Sequence, residues 1–408
     1  MQPRHTRIAL YSHDTMGLGH MRRNLLLAEE LAASALKPNV LLISGSREVS
    51  RFALARGIDV VSLPALYKDS SSRYHPRSLD VSLNDLIAIR SATILGALKA
   101  FEPDLFVVDN VPRGALYELD AAMSYLRRRG NTRCVLGLRD ILDEARDVRA
   151  EWTRADNYAA VRRNYDMIWV YGDQAVADVS QEYGFPGDIA SRVYYTGYLN
   201  QHARTASAPE LPQEKAVDGN TVVCMLGGGQ DGLALAAAFA RTPFAAPLTG
   251  LLVTGPLMSP ARRAELARAA ADNPQVRILE FISNPMAAMR AAHCVVTMGG
   301  YNSVCDVLSI GARALVVPRV VPRAEQLIRA ERLSARGLVD MMRPECVTPE
   351  SLHRWIVTPA VPRRTVSVRM HTTPELHSLL TAALDTVPVR TIARTIARSG
   401  AQGVRHAS

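Results

Sequence analysis

Residues 296–333 read VTMGGYNSVCDVLSIGARALVVPRVVPRAEQLIRAERL, and the order of patterns within them decides the fold. An apolar run starting at His293 ends on Gly299-Gly300. A polar turn, Tyr301-Asn302-Ser303, opens a helical pattern carrying Asp306. A second apolar run, ALVVP at 314–318, delivers Arg319 and a helix containing Glu325 and Gln326. Buried strand, helix, buried strand, helix is the repeat of a parallel sheet covered on both faces. Two strand ends and two helix N-termini then meet, and their backbone N–H groups can hold a diphosphate. A carboxylate one turn into the first helix suits ribose hydroxyls, and a Glu-Gln pair suits sugar hydroxyls.

The same alternation runs outward in both directions. Upstream, strand patterns fall at 7–12, 40–44, 59–63, 105–109, 134–138, 167–171 and 193–197, with amphipathic helical segments at 21–35, 83–100 and 113–129. The 64–81 segment reads as a long, polar, turn-rich loop beside strand ends. Around 198–219 periodicity stops in a polar, Pro/Ala-rich stretch, the expected interdomain linker. A second series follows at 221–226, 250–255, 276–281, 294–298 and 314–318. The expected organisation is α/β: two tandem doubly wound domains facing across a cleft. They span 1–199 and 220–360, joined by a linker at 200–219 and followed by C-terminal helices and a basic tail at 361–408. In that tail Arg390, Arg394 and Arg398 recur every four residues. A surface helix packed by its apolar face and a peripheral contact with a membrane surface are the two readings of this stripe.

Composition narrows the class. Hydrophobic residues make up 48% of 408 residues, too many for a disordered chain, and no run approaches a membrane span. The N-terminus lacks a signal-peptide core, which favours a cytoplasmic location, with the inner membrane face as a peripheral option. The net charge of +9 is carried by arginine, since only Lys37, Lys68, Lys99 and Lys215 are lysines. It suits anionic partners, but the positive residues are spread without aromatic interleaving, so nucleic acid is not expected. Cys134, Cys224, Cys294, Cys305 and Cys346 are scattered with no C-x-x-C pair, as buried thiols rather than a metal site.

Two further loops carry chemistry. SHDTMGLGHMRR at 12–23 joins the first strand to the first helix, with Gly17 and Gly19 permitting close backbone approach to a ligand that Arg22 would also face. His20 follows at the helix entrance, at the sheet edge where open α/β sheets bind ligands. The positive helix end there disfavours imidazolium and leaves the ring able to accept a proton. His13 shares the loop. Asp109 ends LFVVDN at another strand edge, where it either orients a histidine or caps the next helix; Arg139-Asp140 invites a similar choice. LGGGQDG at 226–232 again joins strand to helix, and with Gly228, Gly229 and Gln230 it can face the same diphosphate as Gly299 and Gly300. The chain has no dinucleotide fingerprint, no triphosphate P-loop, no G-x-S-x-G and no Asp-x-Asp.

These residues resemble the family 28 glycosyltransferases, relatives of the lipid-linked N-acetylglucosaminyltransferase of peptidoglycan synthesis. The likeness is strongest over 221–340 and moderate over 7–35. It implies the GT-B fold, with His20 as general base toward the acceptor hydroxyl. By the same likeness Gly227 to Asp231 match the family's glycine loop, and Phe281-Ile282 its nucleobase-contacting segment. Gly300 through Asp306 echo its G-[AG]-x-T-x-x-E stretch, with Ser303 for the Thr and Asp306 for the ribose-binding Glu. Glu325-Gln326 stand where the family has a sugar-facing Gln-Gln pair. Asp306 is shorter than Glu, and Glu325 changes the hydrogen-bond pattern offered to the sugar.

The expected function is therefore inverting transfer of a hexose-type sugar, UDP-linked by the resemblance, to an acceptor hydroxyl on a glycan, a lipid-linked molecule or a small molecule. Neither cofactor nor metal is expected beyond the nucleoside-diphosphate sugar itself. The alternatives are a sugar-nucleotide epimerase of the same fold and a non-catalytic partner subunit.

Overall fold

Apolar, β-branched runs such as LFVVD (105–109) and TVVCM (221–225) are buried along their whole length, the burial expected of strands covered on both faces. The structure, a computed structural model, describes residues 5–14, 19–51, 54–69, 73–200, 217–282, 284–359 and 367–385. Gly17, most of the expected linker and the arginine stripe at 390–398 lie outside the described residues. The chain divides into two units: 1–140 with 146–198 and 370–408, and 141–145 with 199–369.

In chain order the first unit forms β1 (Arg7–Ser12), β2 (Asn39–Ser44), β3 (Ile58–Ser62), β4 (Leu66–Lys68), β5 (Tyr74–Pro76), β6 (Leu105–Asp109), β7 (Arg133–Arg139), β8 (Met167–Tyr171) and β9 (Val193–Tyr195). Its parallel sheet has the order β3-β2-β1-β6-β7-β8-β9. The second unit forms β10 (Thr221–Met225), β11 (Thr249–Val253), β12 (Val276–Leu279), β13 (Cys294–Thr297), β14 (Ala314–Val316) and β15 (Asp340–Met341), ordered β12-β11-β10-β13-β14-β15. In both sheets the strand order reverses beside the first strand. The crevice at the C-terminal ends of β1 and β6, and of β10 and β13, is where such sheets take ligands.

The first unit's helices are α1 (Gly19–Ala32), α2 (Leu83–Phe101), α3 (Asp120–Arg129), α4 (Ala145–Arg154), α5 (Asn157–Asn164), α6 (Val179–Glu182) and α7 (Gly187–Ala190). The second has α8 (Leu233–Ala240), α9 (Pro260–Ala269), α10 (Pro285–Ala291), α11 (Tyr301–Ile310), α12 (Glu325–Ala335) and α13 (Pro349–Val357). A last helix, α14 (Thr373–Leu384), returns to the first unit and packs on α1. There the Thr373 hydroxyl donates to Glu30 Oε2 at 2.8 Å, and His377 Nε2 donates to the Glu30 carbonyl at 3.1 Å. Among the described residues no helix is long and apolar enough to cross a membrane.

Two local expectations are corrected. The 64–81 segment contains an antiparallel pairing of β4 with β5 rather than an open loop. Leu66 is buried with Leu86 and Ala115 while Tyr74 packs against them, and the Pro64 carbonyl accepts from Arg90 Nη1 at 2.6 Å. The helical reading of 113–129 holds only from Asp120, because Gly114, Leu116 and Tyr117 adopt positive φ and break the helix. Cys134, Cys224, Cys294 and Cys305 are buried and Cys346 is exposed.

Candidate functional site

In the first unit the β1–α1 connection begins under tight control. Asp14, at φ 46, accepts from the Ser12 hydroxyl at 2.5 Å and the Ser44 hydroxyl at 2.7 Å, which pins the exit from β1. The chain enters α1 at Gly19, so His20 occupies its first turn. His20 Nδ1 lies 2.5 Å from Asp109 Oδ2, at the end of the neighbouring strand β6. Asp109 therefore orients the histidine rather than capping a helix. Arg22 is partly exposed on the same turn.

Arg23, one turn on from His20, was not singled out by the motif, although a spacing of three places both side chains on one helix face. Its Nε donates to Asp109 Oδ1 at 2.8 Å and its Nη2 to Oδ2 at 2.7 Å. The same Nη2 lies 2.9 Å from His20 Nδ1. Arg23 and Asp109 are buried, whereas the His20 side chain keeps 16% exposure. Burial pushes the Asp109 carboxyl up, but Arg23 and His20 outweigh it and hold that carboxyl well below the usual carboxylate range. Asp109 is thus an anion, and as an acceptor it is matched by a hydrogen on His20 Nδ1.

Tyr171 at the end of β8 lies beneath the Arg23 guanidinium, with the ring centroid 5.8 Å away. Gly137 on β7 leaves it room: a Cβ there would fall 2.8 Å from the ring carbons. Burial pushes the Tyr171 phenol up, so it stays neutral. His13 stands 4.8 Å from His20, ring to ring. Burial, helped by the neighbouring His20, holds His13 well below its ordinary value. Arg139-Asp140 is structural on its acidic side, since Asp140 Oδ2 accepts from the Tyr198 hydroxyl at 2.9 Å.

In the second unit β10 and β13 pair with Met225 opposite Thr297, so their two glycine loops leave the sheet at one level. Gly232 leads into α8 and Gly300 into α11, and neither helix has a side chain capping its N-terminus. Tyr301, Asn302 and Ser303 form the first turn of α11, the end of a helix that carries its partial positive charge. Close packing explains the glycines. Gly229, at φ 89, would place a Cβ 2.9 Å from the Gly255 carbonyl and closer still to that of Thr254. Gly299, at φ 72, would drive one into Val316. Beyond Gly300 there is open space. The Gly228 carbonyl accepts from Leu257 N–H at 2.9 Å, tying the loop to its neighbour.

Arginines hold the rest of this loop. Arg319 Nη1 bonds Asp231 Oδ2 at 2.9 Å, and its Nη2 bonds Glu325 Oε1 at 2.7 Å. Arg262 Nη1 donates to the Gln230 carbonyl at 2.8 Å. Of the expected sugar-facing pair, Gln326 Oε1 already accepts from Arg319 N–H at 3.0 Å, and Glu325 is buried with Oε2 unpaired among the described residues. Asp306 is only 2% exposed on α11. Phe281 is 50% exposed after β12 and Ile282 is buried. Asp143 belongs to this unit and caps α12 from outside, its Oδ1 accepting from Ala324 N–H at 2.8 Å.

Comparison with known proteins fits this geometry. Residues 222–373 match the glycosyltransferase family 28 C-terminal domain. The UDP-N-acetylglucosamine–N-acetylmuramyl-(pentapeptide) pyrophosphoryl-undecaprenol N-acetylglucosamine transferase of Rubrobacter xylanophilus is 34% identical over 91 residues, 22% of this chain and 27% of that protein. The chain thus matches about a quarter of that curated relative's length. Among solved structures, the glycotransferase of kitacinnamycin superposes with a TM-score of 0.56 at 18% identity, covering 97% of this chain and 99% of its own. MurG of Acinetobacter baumannii does so with a TM-score of 0.52 at 15% identity, covering 96% and 98%. Residues 222–373 are therefore similar to the glycosyltransferase family 28 C-terminal domain, and the chain as a whole has the GT-B fold.

Proposed function

We propose that this protein is an inverting glycosyltransferase that moves a hexose-type sugar from a nucleoside-diphosphate sugar, UDP-linked, to an acceptor hydroxyl. The observation that carries the reading is the 2.5 Å contact between His20 Nδ1 and the buried Asp109 carboxylate at the strand-order reversal of the first sheet. It supports a histidine whose Nε2 removes the acceptor hydroxyl proton. The freed oxygen pair attacks the anomeric carbon, and the bond from that carbon to the diphosphate breaks with its electrons going to phosphate. One displacement on the face opposite the leaving group inverts the anomeric centre. In this reading the second unit holds the donor. The N-termini of α8 and α11 receive the diphosphate charge, with Arg319 and Arg262 beside the loop, and no bridging metal takes part.

The family match over 222–373 and the UDP-N-acetylglucosamine transferase among the curated relatives support the donor class. The test is a thermal-shift series with UDP, dTDP and GDP and their sugars, followed by product analysis with donor alone and with an acceptor panel. A ligand at a hundred times its Kd adds about 2.7 kcal/mol to the stability of the folded form. The reading expects a raised midpoint with one nucleoside diphosphate and sugar transfer only when acceptor is present. Conversion of the donor without acceptor supports an epimerase instead, and binding without any turnover supports a non-catalytic partner.

A further inference from the structure

Resting on His20 as the base, we propose that Arg23 is its positioning residue: it fixes the Asp109 carboxylate beneath the ring, so that the ring is held by Nδ1 with Nε2 turned away from Asp109. The argument is one of charge and donor count. Arg23 uses Nε and Nη2 as a fork on both Asp109 oxygens, at 2.8 and 2.7 Å, which allows the carboxylate no other orientation. Oδ2 is thereby shared between Arg23 Nη2 and His20 Nδ1. Nη2 also lies 2.9 Å from Nδ1, and with the Nδ1 hydrogen directed to Asp109 this approach is donor against donor.

The Arg23 guanidinium and the ionised Asp109 carboxylate cancel each other's charge. Take the guanidinium away and a buried carboxylate is left uncompensated; the His20–Asp109 pair then takes up one proton to restore neutrality. That proton is the one the base must be free to accept. Among the described residues, Lys68 and Arg90 also act on His13, Arg90 being itself paired with Glu118; against the cluster stand His13, kept neutral by burial, and Tyr171, whose phenol burial also keeps neutral. Neither supplies a charge to replace that of Arg23. The His-x-x-Arg spacing is thus a built part of the site: the helix places Arg23 behind the histidine, with Asp109 supplied by the next strand.

The test is magnetic resonance of isotope-labelled histidine in the full chain without substrate, the His20 ring being assigned by its loss in His20→Gln. In the wild-type protein Nδ1 is expected to be the protonated, hydrogen-bonded nitrogen; an Nε2–H tautomer overturns the proposal without any variant. Arg23→Gln removes the charge and the two-pronged hold on Asp109, and is expected to move the titration of the pair upward by at least about one pH unit. Arg23→Lys restores the charge and is expected to titrate with the wild type. An unmoved titration in Arg23→Gln, or an equal displacement in Arg23→Lys, refutes the role. Because no turnover is needed, the result is separable from failure of His20 as base, which shows instead as undiminished turnover in His20→Ala.

Discussion

Asp109→Asn alters the site by one atom, and the structure sets its cost. The carboxylate accepts three donors: Arg23 Nε on Oδ1, and Arg23 Nη2 and His20 Nδ1 on Oδ2. An amide has one acceptor oxygen and one NH2, so in either orientation the NH2 faces a donor. At least one charge-assisted hydrogen bond is lost, worth about 1.5–3 kcal/mol, and a buried guanidinium is left without its counter-charge. Breaking such a pair costs about 3–5 kcal/mol, and about 3 kcal/mol lowers the midpoint of a unit this size by roughly 6–12 °C. The pH dependence gives the sharper check. The folded-state value of Asp109 is depressed, so its stabilisation is present above the unfolded value of about 3.9 and is lost as pH falls through the folded value. The gap between wild type and variant, measured by calorimetry or urea unfolding from pH 7 downward, is expected to hold to about pH 4 and then close. A cost below about 1 kcal/mol at pH 7, or a gap that widens in acid, refutes the buried-anion account.

Other expectations follow from the same geometry. His13 is held below its ordinary value by burial, so the unfolded chain binds its proton first and stability falls as pH drops below about 6.5, by up to about 1.4 kcal/mol per pH unit. His13→Gln should flatten that slope in unfolding titrations between pH 7 and 5, and an unchanged slope assigns it elsewhere. Gly229→Ala forces a Cβ onto the Thr254 and Gly255 carbonyls at φ 89, at a cost of about 2–5 kcal/mol from crowding and strain. It should also weaken nucleoside-diphosphate binding in calorimetric titration, and a variant as stable as wild type contradicts the packing argument. Turnover in a chelator should match turnover without it, since helix N-termini and arginines are assigned the diphosphate charge; a chelator-sensitive rate restored by magnesium rejects that assignment.

The sheets were legible because their strands are apolar runs bounded by polar turns: every run from 7–12 to 314–318 appears as a strand, with ends moved by a few residues. What escaped was short or depended on partners distant in sequence. β15 has two residues, Asp340 and Met341, and no apolar run to announce it. β4 and β5 are three residues each and owe their place to Leu86 and Ala115, and to Arg90 bonding the Pro64 carbonyl. The helical pattern at 113–119 yielded to Gly114, Leu116 and Tyr117 at positive φ. At the site, His20 and the glycine loops announced themselves by position between strand and helix. Asp109 left a choice that only its approach to His20 resolved, and Arg23 carried no motif. The burial of Asp306 and Glu325 likewise depends on the packing of α11 and α12, which side-chain type alone does not disclose.

The central claim is that His20 takes the acceptor proton while the second unit holds the donor. Its most direct test is His20→Ala, with donor affinity by calorimetry and turnover by product release measured on the same preparation. The account predicts donor Kd within about twofold of wild type and turnover lower by about 10²–10⁴. Turnover within a factor of a few of wild type, or donor affinity that collapses along with the rate, contradicts it.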